Sequence, residues 1–219
     1  MAPTRNPQPH QRATVYQGGG SPGESTGALV LLHGRGGSAQ DALSLGEALE
    51  LTGVSLFAPQ AEGHTWYPNS FLAPIANNEP WLSSSLNTVA EVVDRCVALG
   101  FARARIAIAG FSQGACLACE FVARNPARYA GLAAFTGGLI GPPGIDLHHA
   151  GMLDGTPILL SSGDPDPHVP WTRVEETAKQ FTAMGGAVIL KRYPNRPHTI
   201  VSEEVSEARA LLMPALTMS

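Results

Sequence analysis

A serine flanked by glycines, near the middle of the chain, has the spacing of a nucleophile. Residues 110–114 read Gly-Phe-Ser-Gln-Gly and directly follow an apolar run at 106–109. Between a buried strand and a helix, a G-x-S-x-G segment can hold its serine hydroxyl on a sharp, strained turn. The glycines remove the Cβ atoms that would clash in such a turn. Ser112 is therefore the candidate nucleophile for acyl transfer.

A serine nucleophile needs a base, and the base needs an acid that orients it. The loop after a predicted strand contains Asp164 and Asp166, and either carboxylate could orient an imidazole. His198 follows the next predicted strand and is the candidate base. His168 lies on the same loop as the acid, which is an awkward position for a base. The chain order Ser, Asp, His is the order expected for α/β-hydrolases.

The oxyanion formed by nucleophilic attack needs backbone N–H donors. One donor is expected from Gln113, the residue after the nucleophile and the first of its helix, where the helix dipole also favours negative charge. The second is expected from the glycine-rich loop after the first core strand, where Arg35 has the better position. This loop has neither of the glycine patterns that are typical of phosphate binding.

Residues around these positions are candidates for a substrate pocket, since apolar side chains near the strand ends can surround an acyl chain. A core patch under a long loop is the alternative for the aromatic ones, and a structural role is the alternative for the histidine. The predicted pocket residues are His33, Gly34, Trp66, Phe71, Leu72 and Val169.

Short apolar runs alternate with amphipathic stretches over most of the chain, which predicts a mostly parallel sheet with helices on both faces. The runs are almost continuously apolar, as expected for strands that are buried on both faces. The predicted strands are Ala28–Leu32, Ser55–Ala58, Arg105–Ala109, Gly131–Phe135, Ile158–Ser161 and Ala187–Arg192. Sites in such folds lie at the carboxyl ends of the strands, and each candidate above follows such an end.

Residues 1–27 are rich in Pro, Gly, Gln and Ser, so we expect a flexible N-terminal leader, with a short strand near Ala13–Tyr16. Residues 28–219 are then expected to form a single catalytic domain.

The composition restricts the function classes. The net charge is −4, which argues against nucleic acid as a partner. No apolar run is long enough for a membrane span, and the N-terminus lacks the apolar segment of a secretory signal, so a cytoplasmic location is expected. Three cysteines do not form a disulfide framework. No combination of histidines gives a metal site.

Four segments together resemble the phospholipase/carboxylesterase family of α/β-hydrolases, which includes acyl-protein thioesterases and small bacterial carboxylesterases. They read His-Gly-Arg-Gly-Gly, Gly-Phe-Ser-Gln-Gly, Gly-Asp-Pro-Asp-Pro-His-Val-Pro and Pro-His-Thr-Ile. The resemblance implies a minimal α/β-hydrolase fold with little or no cap domain, Asp166 as the acid, and no metal or organic cofactor. Members commonly have Leu where this chain has Arg35, which leaves the acyl preference open.

The first hypothesis is a serine esterase acting on carboxylic esters of short to medium acyl chains through a Ser112–His198–Asp166 triad. The alternatives are an acyl thioesterase or lysophospholipase, and a non-catalytic ligand-binding protein on the same scaffold. A small-molecule ester is the expected partner. We also expect no stable membrane insertion and consider a homodimer.

Overall fold

A seven-stranded sheet forms the centre of the molecule. The computed structural model describes residues 8–217. The strands are β1 (Val15–Gly19), β2 (Gly27–Leu32), β3 (Val54–Pro59), β4 (Ile106–Phe111), β5 (Gly131–Phe135), β6 (Pro157–Asp164) and β7 (Ala187–Pro194). They lie in the order β1-β3-β2-β4-β5-β6-β7, and only the β1–β3 pair is antiparallel. The predicted α/β class with a mostly parallel sheet is confirmed.

Helices cover both faces of this sheet, and each face has its own apolar cluster. The helices are α1 (Ala39–Ala48), α2 (Trp81–Ala98), α3 (Gln113–Arg124), α4 (Trp171–Ala183) and α5 (Ser202–Thr217). Buried residues of α1 and α5 belong to one cluster, and those of α2, α3 and α4 belong to the other. The central strands are buried on both faces because helices from both clusters pack on them.

The parallel strands end at one edge of the sheet, and the loops at that edge position the candidate residues. Strand β4 is central and leads into α3 through Ser112. The segments 60–80 and 136–156 are the long connections near this edge, and within the described residues neither contains an α-helix. The structure therefore agrees with a minimal fold without an inserted cap domain.

Residues 8–27 are held in the fold instead of forming a flexible leader, and the short strand expected near Ala13–Tyr16 overlaps β1. Strand β1 pairs along its length with β3, and His10 is 1% exposed. The His10 N–H donates to Ser84 Oγ on α2 at 2.9 Å. Polar composition misled the prediction, because this segment is fixed by backbone pairing and by one buried imidazole. Residues 1–7 of the predicted leader lie outside the described residues.

Strand β7 also differs from the prediction. It forms an edge of the sheet, and all its residues are exposed or only partly buried. Ile189 and Leu190 are 45% and 37% exposed. An apolar run therefore located this strand correctly but did not reveal that it borders the sheet.

Candidate active site

Ser112 lies on a tight turn between β4 and α3. Its backbone angles are φ 54° and ψ −117°, and a residue with a side chain rarely has such a positive φ. The Ser112 N–H donates to Phe135 O at 2.9 Å, and Ser112 O accepts from the Cys116 N–H at 3.0 Å. These two bonds hold the turn in the strained conformation that exposes the serine hydroxyl.

The two glycines of the segment are required by close backbone approach. A Cβ atom on Gly110 would lie 2.5 Å from the carbonyl carbon of Gly114. A Cβ atom on Gly114 would lie 2.1 Å from Leu32 O at the end of β2. Side chains at these positions would therefore push α3 away from the sheet, which explains the G-x-S-x-G spacing in physical terms.

The candidate triad is assembled by hydrogen bonds. His198 Nε2 lies 2.9 Å from Ser112 Oγ, and His198 Nδ1 lies 2.8 Å from Asp166 Oδ2. The Asp166 side chain is fully buried and that of His198 is 19% exposed. This arrangement allows the imidazole to take the serine proton while the carboxylate fixes its tautomer.

The Asp166 carboxylate is also held by its own loop. Asp166 Oδ1 accepts from the backbone N–H groups of His168 and Val169, each at 2.9 Å. Burial acts to raise the pKa of Asp166, but the hydrogen bonds from His168, His198 and Val169 outweigh it. The pKa of Asp166 is therefore held below its ordinary value, and the group is ionised near neutral pH.

The other aspartate of the loop points elsewhere. Asp164 forms an ion pair with Arg192 on β7, whereas the carboxylate bonded to His198 Nδ1 is that of Asp166. His168 stacks edge-on against the His198 ring, with ring centres 4.8 Å apart, and it lines the same cavity. Its ring makes no hydrogen bond to Ser112 within the described part of the chain, so the structure favours His198 as the base.

A buried arginine supports the His198 loop, and the sequence analysis missed it. Arg196 Nη2 donates to Thr136 Oγ1 at 2.8 Å and lies 3.5 Å from Glu204 Oε1. Glu204 is fully buried and also accepts from Ser161 Oγ at 2.6 Å. The only signal in the sequence is an arginine two positions before the histidine, which does not reveal burial.

Two backbone N–H groups near Ser112 are free to bind an oxyanion. Within residues 8–217, neither the Arg35 N–H nor the Gln113 N–H donates to a protein acceptor. Both residues line the cavity that contains the serine hydroxyl. These are the two donors that the sequence predicts.

The Gln113 side chain has a second task that the sequence did not indicate. Its Oε1 accepts from the Trp66 N–H at 2.9 Å, and its Nε2 donates to Tyr67 O at 2.8 Å. The amide group is buried. It therefore ties the segment after β3 to the nucleophile turn and fixes one wall of the cavity.

A cavity of about 810 Å³ opens over the triad. Its walls are mainly apolar, as an acyl-binding site requires. The predicted pocket residues Gly34, Phe71, Leu72 and Val169 line it, together with Ser112 and His198. Cys116 forms part of the lining, and burial raises the pKa of its thiol to about 12.

Two predicted pocket residues, Trp66 and His33, lie outside this lining. Trp66 is fully buried, and its indole Nε1–H donates to His33 O at 2.9 Å. His33 is 2% exposed, and its ring stacks on Trp66 with centres 5.0 Å apart. The chain turns at this point, so that Tyr67 rather than Trp66 lines the cavity. Burial also lowers the pKa of His33.

The described residues contain neither a candidate metal centre nor a helix that could span a membrane. From residue 8 to residue 217, no group of three or more His, Cys, Asp or Glu side chains could hold a metal ion. In the same part of the chain, no helix combines the length and the apolar character needed to cross a bilayer.

Comparison with known proteins finds similar proteins that are named as carboxylesterases or acyl-protein thioesterases. The family model described as Phospholipase/Carboxylesterase matches residues 20–214. The crystal structure of a phospholipase/carboxylesterase from Dyadobacter fermentans is 42% identical in sequence. It superposes with a TM-score of 0.89, and the alignment covers 92% of this chain and 96% of that one.

Two curated relatives are more distant. Acyl-protein thioesterase 1 of Eremothecium gossypii is 28% identical over 84% of this chain and 86% of its own length. Acyl-protein thioesterase 1 of Saccharomyces cerevisiae is 30% identical over 61% of this chain, and the match spans 60% of that protein.

Proposed function

Because the chain belongs to the phospholipase/carboxylesterase family of α/β-hydrolases, we propose that it cleaves carboxylic esters through a Ser112–His198–Asp166 triad. Membership makes the protein a carboxylic ester hydrolase. The proposal adds the residues and the substrate range, which is esters of short to medium acyl chains. The mainly apolar cavity of about 810 Å³ supports this range.

In the proposed mechanism, His198 Nε2 accepts the proton of Ser112 Oγ as the oxygen attacks the acyl carbon. The negative charge that develops on the carbonyl oxygen is bound by the N–H groups of Arg35 and Gln113. His198 then gives its proton to the leaving alcohol. A water molecule then attacks the acyl-enzyme, with His198 again acting as the base, and the carboxylic acid is released from Ser112. Asp166 keeps the imidazole oriented and stabilises its positive charge.

The observation that most supports this proposal is the unbroken chain of hydrogen bonds from Asp166 to Ser112. The two distances, 2.8 and 2.9 Å, are within hydrogen-bond range for a nucleophile and its base. This series of hydrogen bonds ends at Ser112, whose strained backbone is typical of a residue held in place for function. A ligand-binding protein would not need this combination.

Hydrolysis of 4-nitrophenyl esters from C2 to C16 tests the proposal. We expect Ser112→Ala to lose roughly 10⁴-fold or more in kcat, since the covalent route is removed. The matched control is Ser206→Ala on the exposed side of α5, where the hydroxyl donates to Ser202 O at 3.0 Å. A Ser112→Ala variant with near wild-type turnover would refute the mechanism, and lack of labelling by a serine-reactive phosphonate would favour a binding protein.

An acyl thioesterase is the second candidate, because two curated relatives have that name. The same triad could cleave either bond, so only kinetics can decide. The experiment compares kcat/KM for an oxygen ester and a thioester with the same acyl chain, from C4 to C16. A preference for long acyl thioesters would replace the first proposal. A homodimer and a cytoplasmic location stay predictions.

A further inference from the structure

The Arg35 side chain places a positive charge at the cavity that contains Ser112. Arg35 is exposed and is one of the lining residues. Its Nη1 donates to Thr65 Oγ1 at 2.9 Å and to Pro68 O at 3.0 Å, and its Nη2 donates to Asn69 O at 2.7 Å. The guanidinium is therefore held in one place by three bonds to the segment after β3.

None of these bonds neutralises the charge. All three acceptors are uncharged oxygens, and within residues 8–217 no carboxylate oxygen lies within 4.0 Å of the Arg35 guanidinium. A guanidinium has five N–H donors, so the Nε–H and one Nη2–H keep no acceptor from the described chain. A fixed charge with spare, planar donors is suited to bind a carboxylate.

The rest of the cavity does not compete for this charge. Of the described residues that line it, none is Asp or Glu. The Arg35 guanidinium carbon also lies 6.0 Å from the centre of the Tyr67 ring, which adds a cation–π contact. The cavity thus combines mainly apolar walls with the positive charge of Arg35.

We propose that the cavity selects esters that bear a carboxylate, such as half-esters of dicarboxylic acids, and that Arg35 is the residue that determines this specificity. The inference rests on the proposed function. The Arg35 N–H is one of the proposed oxyanion donors, so its side chain starts beside the reacting carbonyl and ends several bonds away from it. A substrate carboxylate several carbons from the ester could reach the guanidinium. The guanidinium takes no part in bond making, and the reaction remains hydrolysis by water.

Two esters of equal shape test this selection. One is the mono-4-nitrophenyl ester of adipic acid, and the other is the 4-nitrophenyl ester of adipic acid monoamide. We expect the acid to exceed the amide about tenfold in kcat/KM at low salt, about 1.4 kcal/mol, which one partly exposed charge pair can supply. Spontaneous hydrolysis is subtracted with Ser112→Ala as the blank. The ratio should fall in 0.5 M NaCl, since salt screens exposed charges.

Variants of Arg35 distinguish an effect of its positive charge on the substrate from an effect of its hydrogen bonds to the segment after β3. Arg35→Met should bring the ratio of acid to amide close to 1, and Arg35→Lys should retain part of the selectivity. A side chain that only fixes the segment after β3 would lower both activities equally, so an unchanged ratio in Arg35→Met would overturn the proposal. If Arg35→Met does not fold, the salt dependence of the wild-type ratio decides.

The failure of this inference can be told apart from the failure of the proposed function. A wild-type ratio near 1, or hydrolysis of 4-nitrophenyl butyrate without hydrolysis of either adipate ester, overturns the inference alone. If the wild type cleaves none of the three esters, the proposed function fails and this inference fails with it.

Discussion

Asp164 and Asp166 lie two positions apart on one loop, and the structure gives their carboxylates different partners. Asp166 contacts His198, whereas Asp164 pairs with Arg192 at the surface. We predict that Asp166→Asn lowers kcat by roughly 10⁴-fold, because an amide neither fixes the reactive tautomer nor stabilises the imidazolium. Asp164→Asn should stay within about threefold of wild type, since an exposed ion pair contributes little.

These two variants form a matched pair, because each replaces one carboxylate of the same loop with its isosteric amide. Turnover of 4-nitrophenyl butyrate is the measurement, and circular dichroism checks that both proteins are folded. Equal losses in the two variants would mean that the loop, and not the Asp166–His198 contact, controls activity.

The structure brings the three predicted triad residues into contact, whereas two predicted pocket residues, Trp66 and His33, lie outside the cavity lining. Ser112 and His198 could be recognised because spacing and chain order are visible in the sequence. The choice of Asp166 over Asp164 needed the resemblance to a family, since both follow the same strand. Trp66 was assigned to the pocket in place of Tyr67, because the direction of a side chain in an irregular segment is set by tertiary contacts such as the Gln113 amide.

At the scale of secondary-structure elements, the close approach of α3 to β2 requires a residue without a side chain at position 114. Gly114 lies in α3, where alanine would ordinarily gain about 1 kcal/mol in helix propensity. An added Cβ would lie 2.1 Å from Leu32 O, and backbone cannot move away easily. We predict that Gly114→Ala destabilises the protein by about 3 kcal/mol or more, measured by urea unfolding.

The control for this prediction is Gly23→Ala. An added Cβ at Gly23 has no heavy atom within 4 Å among the described residues, so its free energy of unfolding should change by less than about 0.5 kcal/mol. A Gly114→Ala protein with an unchanged urea midpoint would show that α3 can shift without loss.

The strands and helices were largely predictable because apolar runs locate buried elements. The sequence did not indicate which strand borders the sheet, and β7 was expected to be buried on both faces. It also did not predict that β1 extends the sheet, since five residues of mixed polarity gain their stability from pairing with β3. The Arg196–Glu204 contact joins the His198 loop to α5, and such long-range pairs leave no local pattern.

At the scale of the whole molecule, a buried imidazole near the N-terminus joins the chain to the segment behind the cavity. His10 Nδ1 accepts from the Glu62 N–H at 3.1 Å, and His10 Nε2 lies 3.0 Å from Trp66 O. One ring nitrogen therefore acts as acceptor and the other as donor, which is possible only for a neutral ring. Burial lowers the pKa of His10.

A second buried imidazole holds the same segment from the end of β2. His33 Nε2 accepts from the Ala61 N–H at 3.1 Å, and His33 Nδ1 lies 2.8 Å from Gly34 O. This ring is neutral for the same reason, with the opposite tautomer. Protonation of either ring would turn its acceptor nitrogen into a donor that faces a backbone N–H.

These two rings predict an acid sensitivity of folding that is separate from catalysis. The pKa values of His10 and His33 are lowered from 6.5 in the folded protein, so the unfolded chain binds more protons below that pH. Stability should therefore fall as pH drops from 6.5 towards the folded pKa values, by up to about 1.4 kcal/mol per pH unit for each ring. Urea unfolding at pH 7.5, 6.5 and 5.5 measures this slope. The variants His10→Gln and His33→Gln, whose amides can donate and accept without titrating, should each have a smaller slope than wild type. Equal slopes in the wild type and both variants would show that these imidazoles do not link protonation to folding.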